Sequence, residues 1–168
     1  MKVVTFNIRC DYGQDGLNEF ANRKELILRK INQEKPDIIG FQEVLPHVAK
    51  WLKENLNEYY VIGCGRGANL RDEQMSIAYR RDRINLISMK TWWLSQTPDV
   101  PGSRYEEQSS CPRTATEAVF EDIKNDKVFR FINTHLDHIG AQAREKGLTQ
   151  IINQLNQERF WKDIPVIL

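Results

Sequence analysis

Apolar residues come in short dense runs along this chain, and three of the runs carry a residue near their exit that a hydrophobic core has no use for. Val3 to Ile8 carries Asn7, Ile38 to Val44 carries Glu43, and Val128 to Leu136 carries His135. An amide, a carboxylate and an imidazole at three strand exits each need a cap, a partner or a chemical task. Between the runs the period lengthens. Ile27, Leu28 and Ile31 recur on one stripe of a helix from about Arg23 to Gln33 that stops ahead of Pro36. Val48, Trp51, Leu52 and Leu56 repeat the pattern from His47 to Leu56, with Trp51 expected in the core. Leu148, Ile151, Ile152 and Leu155 mark one side of a third helix, Ala141 to Gln157.

A strand, helix, strand crossover normally joins parallel neighbours, so the exits that carry Asn7 and Glu43 point the same way. Open α/β sheets hold their ligands at that end. The His135 strand, the third helix and the run Pro165 to Leu168 repeat the unit. Further strands are expected at Tyr59 to Ile62, Met75 to Arg80, Ile84 to Leu94 and Thr114 to Glu121. Arg81-Asp82-Arg83 predicts a hairpin between the second and third of these, and Asp122 to Lys127 a hairpin ahead of the His135 strand. Trp92 and Trp93 alternate in a strand, so one is expected inside and one outside. Cys10 to Asn22 and Thr97 to Arg113 read as loops. Gly63, Gly65 and Gly67 predict a flexible loop that lacks the Gly-Lys-Ser/Thr element of a phosphate-cradling loop.

Composition narrows the class without naming the chemistry. At 168 residues, 40% apolar and 28% charged, the chain fits one globular domain over 1–168, and no apolar run is long enough to cross a bilayer. Met1-Lys2-Val3-Val4 enters a strand directly, without the basic and apolar regions of a leader, so a cytoplasmic location is expected. Cys10, Cys64 and Cys111 are an odd number without metal-knuckle spacing. A net charge of +1 removes the broad positive field of an indiscriminate nucleic-acid binder, leaving room for a locally basic groove.

Four groups of residues, in order, carry a resemblance. They are Thr5-Phe6-Asn7-Ile8-Arg9; Pro36-Asp37-Ile38-Ile39-Gly40-Phe41-Gln42-Glu43-Val44; Trp93-Leu94-Ser95 with Thr97-Pro98-Asp99 and Pro101-Gly102-Ser103; and Asn133-Thr134-His135-Leu136-Asp137-His138. The chain resembles the endonuclease/exonuclease/phosphatase superfamily of deoxyribonuclease-I-like hydrolases over its whole length. The resemblance implies a four-layer, two-sheet α/β sandwich with outer helices and a metal-dependent phosphoesterase that uses Mg²⁺ or Mn²⁺ on a nucleic acid or a small phosphorylated molecule. The superfamily completes its site with a Gly-Asp-x-Asn segment after a strand like Pro165 to Leu168 and a later Ser-Asp-His segment. The chain stops where the first should begin, so a domain missing its C-terminal part is expected.

Each candidate residue carries a plain reading beside the chemical one. Glu43 suits a hard oxygen ligand for Mg²⁺ or a helix cap, and the resemblance assigns it the metal. Asn7 orients a phosphate oxygen or metal-bound water, or simply tolerates a strand-end turn. Arg9 is a phosphate contact or a solvated end residue. His135 is a hydrogen-bonded core residue or, as the resemblance implies, a donor to the scissile phosphate, with Asp137 and His138 lining its pocket or positioning it. Arg113 suits an equatorial phosphate oxygen, and Arg66 and Glu73 are specificity candidates. An exposed tryptophan of the Trp92-Trp93 pair could stack on a base or sugar. Two other readings compete. His135-Leu136-Asp137-His138 overlaps the H-x-H-x-D-H zinc signature of metallo-β-lactamase-like hydrolases, although Asn133 stands at the leading position and His47 is the one histidine left over. The third is a domain of the same fold that binds a phosphate ligand or serves as a scaffold without catalysis.

Overall fold

The computed structural model describes residues 1–168 as two four-stranded mixed sheets packed face to face, with helices outside. The first sheet holds β1 (Val3–Asn7), β2 (Ile38–Gln42), β3 (Tyr59–Ile62) and β4 (Ile77–Arg80), in the order β1-β2-β4-β3. The second holds β5 (Ile84–Trp93), β6 (Thr114–Asp122), β7 (Lys127–Thr134) and β8 (Val166–Ile167), in sequence order. Helices α1 (Phe20–Glu34) and α2 (Pro46–Asn55) cover the first sheet, and α3 (Ala141–Gln157) covers the second.

Alternation along the strands explains the layering. In β2 all five residues are buried: Ile39 and Phe41 face α1 and α2, while Ile38 joins Ile77, Tyr79, Phe120, Phe129 and Phe131 between the sheets. The expected parallel pairing holds, with Val3 opposite Ile38 and Asn7 opposite Gln42, so Glu43 lies one residue beyond the last pair. The second crossover, β7 to β8 through α3, is also parallel. No helix is long and apolar enough to cross a membrane.

Four local expectations are corrected. Arg81-Asp82-Arg83 makes no hairpin: β4 pairs with β2 and β3, β5 pairs with β6, and the turn carries the chain from one sheet to the other. The longer β5 matches the nine residues of β6, whereas β4 matches the four of β3. Trp92 and Trp93 are both buried, because that end of β5 is covered on both faces; Trp92 packs beneath α3 and Trp93 Nε1 donates to the Arg66 carbonyl at 2.6 Å. Gly65 and Gly67 lie in a tightly bonded segment, with their N–H groups on the Leu70 and Arg71 carbonyls at 3.0 and 2.8 Å. A Cβ on Gly65 would meet the Arg71 carbonyl oxygen at 2.3 Å, so close backbone approach demands glycine there. The buried stripe of α3 is Ala143, Gly147 and Ile151, and Leu148 and Ile152 are exposed.

One polar tie crosses the interior. Asn133 on β7 donates through Nδ2 to the carbonyls of Phe41 (2.7 Å) and Ser76 (2.9 Å) and accepts from Gln42 Nε2 at 2.7 Å. Gly40 allows this, since a Cβ there would sit 2.9 Å from Asn133 Oδ1. The tie fixes the sheet that ends in Glu43 against the sheet that leads to His135. Replacing Asn133 with leucine orphans these partners and lowers stability by about 3 kcal/mol, a fall in thermal midpoint of roughly 6–12 °C by circular dichroism. A midpoint within about 2 °C of the parent would remove the tie from the argument.

Candidate active site

Glu43 leaves β2 in a left-handed conformation, φ 63°, which costs a residue with a Cβ about 1–2 kcal/mol. The turn aims its carboxylate back across the strand ends. Oε1 accepts Asn7 Nδ2 at 2.7 Å and Oε2 accepts the Cys10 backbone N–H at 2.7 Å. Asn7 is fixed in turn, since its Oδ1 accepts the N–H of Arg9, itself at φ 62°, at 2.9 Å. Burial works against the charge on Glu43, but these two bonds and the fields of His135 and Arg113 outweigh it and hold the carboxyl below its usual range.

His135 follows directly on β7 and is half-buried. Its Nδ1 is sealed from solvent without a partner, so Nε2 is the nitrogen open to the cleft. Burial, with the Arg113 charge next, pushes the imidazole pKa down, against the opposing pull of Glu43 and Glu73. Arg113 is buried, with Nε 3.4 Å from Asp137 Oδ1 and Nη2 2.9 Å from His138 Nδ1. The buried Asp137 carboxylate also accepts the Ser109 hydroxyl and the backbone N–H groups of Ser109 (3.1 Å), Ile139 (3.1 Å) and Gly140 (2.8 Å). Burial opposes that charge too, and the ring of donors holds its carboxyl far below the usual range.

The structure thus brings Asn7, Glu43, His135 and Arg113 to one end of the two sheets, with Asp137 and His138 behind Arg113. Two expected substrate contacts have their guanidinium donors engaged by carboxylates. Arg66 is 3% exposed and forks onto Glu73 at 3.0 and 2.9 Å, with Nε on Asp72 at 3.1 Å, so its donors are taken by carboxylates. Arg9 turns outward onto Asp15, with Nη2 on Oδ1 at 2.6 Å. Asp137, expected among the catalytic groups, is buried and bonded to Ser109, Arg113 and the backbone at the entry to α3. Sequence reasoning missed the Cys10 amide and Ser109. The first is a main-chain group that no side-chain pattern announces.

No group of three or more His, Cys, Asp or Glu side chains gathers in a metal-binding arrangement. The oxygens available are those of the Glu43 carboxylate, each with a lone pair beyond the bond it accepts, while Asn7 turns its NH₂ to Glu43 and its oxygen to the Arg9 N–H. That set fits a hard cation that fills its remaining positions with water and phosphate oxygens. It does not fit a closed zinc site. His47 lies at the start of α2 with Nε2 on Asp11 at 2.8 Å, and Asn133 is spent between the sheets.

The sequence pattern of the endonuclease/exonuclease/phosphatase family matches residues 4–104. The chain belongs to that family. A solved family member from Bacteroides vulgatus is 37% identical with a TM-score of 0.87, covering 91% of this chain and 59% of its own. A mannosyl-6-phosphatase from Bacteroides thetaiotaomicron is 30% identical, also with a TM-score of 0.87, covering 96% of this chain and 62% of its own. An uncharacterised protein of Acanthamoeba polyphaga mimivirus is 27% identical over 176 residues, all of this chain and 65% of its own. The chain therefore spans less than two thirds of the length of these relatives. The two-sheet α/β fold is shared with the two solved relatives, the family acts on phosphate esters, and its enzymes generally use divalent metals.

Proposed function

We propose that this chain carries the site of a divalent-metal phosphoesterase that acts on a small phosphorylated molecule, in the first instance a sugar phosphate. The observation that carries the reading is the Glu43 carboxylate, anchored by Asn7 and the Cys10 amide at the strand ends that also carry His135 and the buried guanidinium of Arg113. Glu43, oriented by Asn7, would hold Mg²⁺ or Mn²⁺, which when bound polarises a phosphoryl oxygen and offsets charge developing at phosphorus. His135 Nε2 donates a hydrogen bond to a phosphoryl oxygen. Arg113, held by Asp137 and His138, adds positive potential at the same place. The mannosyl-6-phosphatase relative supports the sugar class, and a net charge of +1 argues against a long polyanion.

The test is phosphate release from mannose 6-phosphate with and without added Mg²⁺ or Mn²⁺. Release is expected with the ion and lost after chelation, returning when the ion is restored. Equal release in the chelated protein would refute the metal-dependent reading. A phosphate-ligand-binding domain without turnover is favoured by one observation, the lack of any cluster of three potential metal ligands. Binding without release in the presence of the ion would make it the better reading.

A further inference from the structure

Tyr12 lies two residues beyond the amide that caps Glu43, and as a residue it is 60% exposed. A large aromatic that covers no core is usually left to swing, but this one is held. Its hydroxyl donates to Glu73 Oε1 at 2.8 Å. Glu73 is buried and gripped through both oxygens by Arg66, and the Arg66 carbonyl accepts the buried Trp93 indole N–H at 2.6 Å. Three segments of the chain thus converge to fix one ring at the surface, next to the carboxylate of the candidate site.

The neighbourhood of the ring limits what can lie on it. Asp11 and Asp15 share its loop, Asp11 meeting His47 and the Phe20 N–H, and Asp15 meeting Arg9. Asp15 is neutralised by Arg9, and the lone pairs that Asp11 and Asp15 keep accept hydrogen bonds from hydroxyl groups. Aromatic faces suit the apolar C–H face of a sugar ring for the same reason they suit other flat apolar surfaces, namely area removed from water with little side-chain entropy lost.

We propose that Tyr12 is a specificity-determining platform on which the pyranose ring of a sugar phosphate stacks while its phosphate lies at Glu43 and His135. The assignment rests on the phosphoesterase reading and goes beyond it by naming where the alcohol portion of the ester sits. Arg66, Glu73 and Trp93 are positioning residues that act through Tyr12.

The experiment measures binding by calorimetry, with Mg²⁺ present, of the non-hydrolysable phosphonate analogues of mannose 6-phosphate and of glycerol 3-phosphate. Tyr12→Ala weakens the mannose analogue by about tenfold and shifts the glycerol analogue by less than about twofold. Tyr12→Phe keeps the ring without its tether and falls between parent and alanine on the mannose analogue. Equal effects of Tyr12→Ala on the two ligands, or none on either, overturn the platform and leave the phosphoesterase reading in place. A parent protein that binds neither analogue overturns that reading, and the platform with it. If Tyr12→Ala weakens uridine monophosphate more than the mannose analogue, the platform serves a base and the sugar assignment is wrong.

Discussion

Glu43→Ala lowers kcat/KM for phosphate release on the order of a thousandfold while leaving the thermal midpoint close to that of the parent. The expected loss follows from removing the carboxylate proposed to hold the cation, whose transition-state contribution is several kcal/mol at about 1.4 kcal/mol per decade. The fold tolerates the change for identifiable reasons. Alanine at φ 63° carries a similar left-handed penalty to glutamate, so no strain is added. Of the donors it abandons, Asn7 Nδ2 lies in an exposed bond, where water replaces the lost acceptor, and the Cys10 N–H in a part-buried one. Glu43→Gln is the harsher structural test, because both carboxylate oxygens accept and an amide must turn its NH₂ against one of two donors. Initial rates within about threefold of the parent for Glu43→Ala would remove Glu43 from the chemistry.

His135→Ala lowers kcat by about a hundredfold or more, the usual scale for a positioned donor to a reacting group. The pH dependence separates this from a packing role. The folded-state pKa of His135 is lower than its ordinary value of about 6.5, through burial first and the Arg113 charge second. An unfolded chain therefore binds more protons than the folded one just below that value. The His135 contribution to stability is fully present above about pH 6.5 and is lost as pH falls through the folded pKa. Chemical denaturation across pH 7 to 5 should show that slope, reduced in His135→Ala. The imidazole resonances of His135, followed by NMR in the same range, should titrate below the ordinary histidine value. A midpoint at or above it would contradict a desolvated imidazole. Glu43 raises the His135 pKa, so Glu43→Ala should lower it further, readable from the imidazole resonances by NMR.

Much of this arrangement could be read in the sequence because the residues concerned interrupt a pattern. Asn7, Glu43 and His135 are conspicuous at the ends of apolar runs, and the helix between the first two dictates a parallel pair that sets their exits side by side. What could not be read depends on partners distant in the chain. Nothing in Arg66 itself distinguishes a guanidinium free for phosphate from one locked on Glu73 seven residues on, or Gln42 and Asn133 as a tie 91 residues long. Arg81-Asp82-Arg83 has good turn chemistry either way, because a reversal within a sheet and a passage between sheets use the same residues. The two tryptophans misled for a related reason: alternation exposes one of a pair only where one face of the sheet is bare, and here α3 and the Arg66 segment cover both.

The anchoring of Glu43 by a main-chain N–H has a consequence for which substitutions position 10 accepts. The thiol of Cys10 takes no part in that bond, so serine, alanine or valine there would leave the carboxylate oriented as before. Proline, which has no hydrogen on its nitrogen, would cut the support from Glu43 Oε2 without altering any side chain of the cleft. What position 10 must supply to the carboxylate is therefore a main-chain hydrogen, which every residue but proline carries.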